Sequence, residues 1–189
     1  TIDRVDICEN GTDEYVRIID YKTGKKDFNI VKTYYGIDIQ LMVYMEAAMK
    51  LVAKMRPGKN VIPAGVFYYN ISDPIVSATT ESAEEIEDKI KGELRLKGMV
   101  NSDKDIAEKM DNTEGTSLNI PVSRKADGGF DSRRSKVMNT EQFNMLGRFV
   151  DVRAVDTADR IAGGDIRRSP YKDGQFSSCD RCPYGAVCG

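Results

Sequence analysis

The chain has 189 residues, 31% of them charged and 40% hydrophobic, which suits a soluble globular domain with a sizeable core and leaves no apolar run long enough to span a membrane. Its net charge of −2 gives no global sign of a nucleic-acid partner, so any such contact must come from local patches. Histidine is absent, which excludes Ser-His and Cys-His nucleophile pairs and the usual zinc-hydrolase sites and leaves carboxylates and lysine for any hydrolytic chemistry.

Residues 2–8, IDRVDIC, and 15–21, YVRIIDY, alternate apolar and polar around a polar Asn-Gly turn, and so predict a β-hairpin. Pairing Ile7 with Val16 and Val5 with Ile18 keeps the apolar side chains on one face and sets Asp3 opposite Asp20. No signal peptide opens the chain, and Thr1 begins what reads as the middle of a strand, so the sequence is expected to be part of a larger protein. Residues 36–55 predict a helix, apolar almost all round and therefore buried. Residues 61–71 read as a central strand with a proline near its start. Ser82 and Glu85 form a capping-box signature ahead of a helix carrying Ile86, Ile90 and Leu94. A short helix is expected around 103–111. Residues 112–138 read as a mobile hairpin bearing Arg124, Lys125, Arg133, Arg134 and Lys136, expected either to contact DNA, through Arg124, Arg133 and Arg134, or to be an ordinary solvated loop. Thr140 is expected to cap a long helix to about Ile161, stopped by Gly163-Gly164. A turn-rich tail follows.

Two carboxylates facing across a hairpin lie about 5 Å apart at their β-carbons. Such a pair is unfavourable unless one acid is protonated or a cation sits between them. Oxygen donors suit a hard divalent ion such as Mg²⁺ or Mn²⁺. Lys22 follows Asp20 on the same face and could orient a water or stabilise charge on a phosphate. By spacing alone, D-x-K after an apolar strand is equally a pair of solvated charges at a strand end. Gln40 and Tyr44 add a second signal: they are four residues apart, on one face of an otherwise apolar helix. They could satisfy each other, or hold a DNA strand beside the acidic pair.

IDRVD, then IIDYKTG, then YYGIDIQLMVYMEAA resembles the nuclease domain of the RecB-like branch of the PD-(D/E)XK superfamily, tightly over residues 2–48. The resemblance implies an α/β restriction-endonuclease-like fold, a mixed central sheet flanked by helices. It implies that Asp3, Asp20 and the Tyr21 backbone carbonyl are metal ligands, that Lys22 is the catalytic lysine, and that Gln40 and Tyr44 are the helix motif. Asp6 points away from Asp3 by alternation and is expected to be structural.

The four cysteines are Cys8, Cys179, Cys182 and Cys188, and the last three spell C-x₂-C-x₅-C. That spacing suits a metal or an iron–sulfur cluster, and zinc and a cluster both remain open on spacing. Cys8 lies roughly 17 Å along the strand from Asp3 at about 3.3 Å per residue and reads as a small core residue. The triplet, GDIRRSPY and PAGVFYYNISDP together resemble the nuclease domain of AddB-type subunits of bacterial ATP-dependent helicase–nucleases, along most of the chain. This likeness implies a nuclease domain over 1–164 and a cysteine-rich tail over 165–189 that holds a [4Fe-4S] cluster with a fourth cysteine from upstream. It also implies a 5′→3′ DNA exonuclease acting on a strand unwound by the complex, an AddA-type helicase–nuclease partner, and a cytoplasmic setting. The free-standing CRISPR-associated exonuclease with the same motifs and cluster is the neighbouring alternative. A non-catalytic, DNA-guiding module is the alternative from another class.

Overall fold

In the computed structural model, which describes residues 1–76, 82–174 and 176–188, the chain divides into two compact units, Thr1–Asp151 and Val152–Gly189. The first unit is built on a five-stranded sheet of order β1-β2-β3-β4-β5, from Arg4–Asn10, Asp13–Lys22, Asn60–Asn70, Lys97–Asn101 and Val137–Met138. β1 and β2 are antiparallel, β2 and β3 parallel, β3 and β4 antiparallel, and β4 and β5 parallel. This is the mixed sheet that the resemblance to the PD-(D/E)XK nucleases implies.

The hairpin has the expected register, with Val5 opposite Ile18 and Ile7 opposite Val16. Its two-residue loop is Gly11-Thr12, and Gly11 takes φ 63°. A positive φ confined to the first loop position is the mark of a type II′ turn, whose twist matches the flanking strands. The parallel partnership of β2 and β3 requires a crossover, supplied by α1 (Ile30–Tyr34) and α2 (Gln40–Met55).

The expected helix over 36–55 starts later, at Gln40, after the short α1 that periodicity did not reveal. Gly36 at φ 78° breaks the helical path between the two. Nor is α2 buried all round. Leu41, Met42, Met45, Ala48 and Val52 face the sheet, while Leu51 and Met55 are 57% and 62% exposed. The reason is that only part of the helix surface meets the core, and Leu51 and Met55 lie on the part left in water.

On this face of the sheet Val16, Ile18, Val66 and Tyr68 pack against α2 and against Phe143 and Val150 of α5 (Thr140–Ala162). On the other face, Ile19, Phe67 and Val100 pack against Ala107 of α4 (Lys104–Met110) and against Ile120 and Val122. The segment expected as a mobile hairpin therefore contributes to the core. α3 (Ala83–Leu94) carries the capping box as read, with Ser82 and Glu85 bonding reciprocally. The helix expected to be capped by Thr140 is capped instead by Asn139, whose Oδ1 accepts from the Gln142 N–H at 2.8 Å while Gln142 Oε1 accepts from the Asn139 N–H at 2.9 Å. Thr140 Oγ1 is taken by Asn101. Gly164 at φ 73° ends α5 as expected.

In the second unit, β6 (Lys172–Asp173) and β7 (Phe176–Ser177) form a short antiparallel hairpin. A single 3₁₀ turn over Ser178–Arg181 and the four-residue α6, Gly185–Cys188, follow. Among the described residues no helix is long and apolar enough to cross a membrane.

Candidate active site

The C-terminal end of β2 carries the acidic residue and the lysine that the sequence singles out. Asp20 is 2% exposed, opposite Tyr68 on β3. Continuing the hairpin register one step beyond the Arg4–Ile19 pair brings Asp3 across from Asp20. Asp3 is exposed, and its Oδ2 accepts a 2.9 Å hydrogen bond from the Tyr21 N–H, which ties the start of β1 to the end of β2. Asp6 lies on the opposite face, where Arg4 and Arg17 clamp it; burial pushes its carboxyl up, and the two guanidinium hydrogen bonds outweigh this and hold it below its usual range.

Lys22 Nζ lies 2.5 Å from Asp20 Oδ2 but off the direction a hydrogen bond requires, so that buried oxygen has no hydrogen-bond donor. The ammonium donates instead to Gln40 Oε1 at 2.9 Å, and Gln40 Nε2 donates to the Tyr44 hydroxyl at 2.9 Å. The alternatives left open for Gln40 and Tyr44 thus resolve into a chain: they bond each other, and through Gln40 they fix the lysine. Tyr68 lies beneath it, its ring centroid 5.6 Å from Lys22 Nζ.

Three residues that sequence reasoning missed complete the surroundings. Tyr68 donates to Asp38 Oδ1 at 2.8 Å, and Lys26 Nζ pairs with Asp38 Oδ2 at 3.0 Å. Burial, followed by the Asp38 hydrogen bond and the Asp38 and Asp20 charges, pushes the Tyr68 phenol far above its ordinary range, so it stays a donor. Alternation places Tyr68 on the Val66 face, but its position beside Asp20 depends on a parallel register that no local pattern encodes.

The buried Asp20 carboxylate, ion-paired with Lys22, and the Asp3 carboxylate, across from it by register, offer oxygen donors of the kind a hard divalent cation takes. No three His, Cys, Asp or Glu side chains among the described residues are grouped to hold a metal, so the two carboxylates need backbone or solvent oxygens to complete a coordination shell.

The profile of the PD-(D/E)XK nuclease superfamily matches residues 1–189. The chain belongs to that superfamily. Among curated proteins it is 39% identical over 99% of its length to the B-type component of the ATP-dependent helicase/deoxyribonuclease of Thermoanaerobacter sp. (strain X514), and 39% identical over the same share to that of Clostridium botulinum (strain Hall). It is 40% identical to the corresponding protein of Caldanaerobacter subterraneus subsp. tengcongensis. The chain spans 16% of the length of each of these relatives.

The remaining sequence candidates of this PD-(D/E)XK chain make other contacts. Arg124 donates to the Thr113 carbonyl at 2.7 Å and to the Asp111 carbonyl, so its guanidinium is spent holding its own segment. Arg133 and Arg134 are exposed and without a side-chain partner among the described residues; Lys125 is exposed, and Lys136 pairs with Asp27. Cys8, expected in the core, is exposed, because β1 is the edge strand of the sheet and Cys8 opens onto a surface pocket beside α4 rather than packing into the core. Cys179, Cys182 and Cys188 are exposed too; Cys182 N–H donates to the Cys179 carbonyl at 3.1 Å, and Arg168 donates to the Cys188 carbonyl.

Proposed function

We propose that the chain is a metal-dependent DNA exonuclease module, cutting 5′→3′, of an ATP-dependent helicase–nuclease that processes double-strand breaks for recombination. One observation carries this reading: the D-x-K lysine and the Q-x-x-x-Y pair, 18 residues apart at Lys22 and Gln40, meet in one hydrogen-bonded chain beside the buried Asp20. The printed names of the curated relatives support a deoxyribonuclease within a larger assembly. A DNA substrate, an AddA-type partner subunit and a cytoplasmic setting belong to the same proposal.

In this reading Asp3, Asp20 and the Tyr21 carbonyl would hold Mg²⁺ or Mn²⁺, and the ion would supply polarisation of the phosphate and a lowered pKa for its water. Lys22, fixed by Gln40, presents its ammonium to the phosphate oxygens where negative charge develops. Tyr44 keeps Gln40 in the orientation that leaves its oxygen toward Lys22. Arg133 and Arg134, with Arg124 shaping their segment, contribute to DNA contact. The nuclease chemistry is assigned to residues 1–164 and iron–sulfur binding to 165–189. There Cys179, Cys182 and Cys188 supply three of the four thiolates of a [4Fe-4S] cluster, supported by their spacing.

The test uses 5′- and 3′-labelled single-stranded DNA with Mg²⁺ or Mn²⁺. Stepwise release from the 5′ end, abolished by EDTA and about 10²–10³-fold slower in Lys22→Gln, is the expected result. Cleavage at the wild-type rate in Lys22→Gln would overturn the assignment.

A further inference from the structure

Beyond the catalytic residues, the C-terminal ends of β2 and β3 open into a cleft of about 380 Å³, within the size range of ligand sites. Its walls carry five cations, Lys25, Lys26, Arg95, Lys97 and Lys136, against two carboxylates, Asp27 and Glu93. In a protein of net charge −2 this is a concentrated local positive field, and a concave, partly walled site focuses such a field.

The cations do not all balance internally. Lys136 is taken by Asp27 and Lys26 by Asp38. Lys25 and Lys97 have no side-chain partner among the described residues. Arg95 spends one donor on the Ser117 carbonyl at 3.1 Å, and burial lowers its pKa, so the cleft holds a partly desolvated guanidinium. The wall is also built rather than adventitious: the Asn70 amide accepts from the Lys26 N–H and donates to the Lys26 carbonyl, both at 3.0 Å, which pins Lys25 and Lys26 to the end of β3.

The cleft is aligned with the acidic site. Asp20 pairs with Tyr68, and Tyr68 with Lys97, so the three form a row across one face of the sheet. Two strand spacings separate Asp20 from Lys97, roughly 10 Å. A polyanion with one phosphate at Asp20 would thus run its next phosphates over Lys97 and Lys25.

We infer that this cleft binds the phosphates of single-stranded DNA flanking the bond to be cut, with Lys25 and Lys97 as the phosphate-holding residues. The inference rests on the nuclease reading for its orientation, and the test separates the two. Fluorescence anisotropy of a labelled oligothymidylate is measured in EDTA across a salt series, for wild type and the Lys25→Ala/Lys97→Ala double variant. Loss of two phosphate contacts predicts several-fold weaker binding and a salt slope smaller by roughly 1.4. Lys25→Arg/Lys97→Arg is expected to restore both. In parallel, hydrolysis of bis(p-nitrophenyl) phosphate with Mn²⁺, a substrate too short to reach the cleft, is expected to be unchanged in the alanine variant. Wild-type affinity and slope in the alanine variant would overturn the inference, as would an equal loss of small-substrate hydrolysis, which would place the lysines at the reacting centre. If wild type hydrolyses neither substrate while the alanine variant binds DNA more weakly and with a smaller salt slope, the phosphate-binding cleft stands and the nuclease reading, with the cleft's place beside a scissile bond, falls.

Discussion

Asp20 and Lys22 hold opposite charges 2.5 Å apart at the edge of a core, and the two side chains differ in exposure: 3% for the acid, 30% for the lysine. The acid is desolvated while the lysine reaches water, so the pair is held by its surroundings rather than by its own attraction. Gln40 is the part of those surroundings that the sequence announced, because an amide four residues before a phenol has no packing role on an apolar helix. Asp38 and Tyr68 carried no such signal, since an aspartate ahead of a helix and a tyrosine in an aromatic strand are ordinary. Asp111 is a second residue invisible in the sequence. Burial raises its pKa, but hydrogen bonds from Ser117, Thr113 and Asn119 outweigh that and bring it to about 2. Its folded pKa is below its unfolded value of about 3.9, so its stabilisation is complete above roughly pH 4 and is lost as pH falls toward about 2. Asp111→Ala is expected to cost about 1–3 kcal/mol at neutral pH. In urea unfolding at successively lower pH, the gap between wild type and variant should narrow below pH 4; a gap independent of pH would remove the carboxylate from the account.

The β1–β2 hairpin was legible to the residue, since a one-step slip would turn Val16 and Ile18 to the wrong face. The β2–β3 partnership was not, because a parallel register depends on a crossover and not on a turn, and here it also shifts at Val16/Arg17. β4 went unread because KGMVN is short and opens on a lysine and a glycine. That glycine is required: a Cβ at Gly98 would lie 1.9 Å from the Val66 carbonyl oxygen. β2 also carries an anomaly at its far end. Glu14 is fully buried, and among the described residues neither carboxylate oxygen has a hydrogen-bond partner and its ion pair, with Arg56 Nε, is a long 3.9 Å. A buried carboxyl in that state costs free energy that an apolar side chain of similar volume does not. Glu14→Met should therefore raise stability by about 1–3 kcal/mol, read as a higher urea midpoint with an unchanged slope. A lowered midpoint would show that the carboxylate has a partner in solution.

At the scale of the molecule, three motifs within the first 48 residues carried the family resemblance, and the resemblance implied the mixed sheet; the same motifs singled out Asp20 and Lys22, which the structure brings together at the end of β2. RRSK stands out in the sequence, and its Lys136 joins Lys25, Arg95 and Lys97, from segments far apart in sequence, in the cationic cleft that only the sheet assembles. The cysteine tail forms its own short hairpin and turns within the second unit. The central claim is that Asp3 and Asp20 form a preorganised divalent-cation site. Its most direct test is a Mn²⁺ titration followed by electron paramagnetic resonance, with Asp20→Asn alongside. The account predicts a bound-Mn²⁺ signal that saturates in the wild type and is lost in the variant. Equal binding in both, or binding in neither, would contradict it.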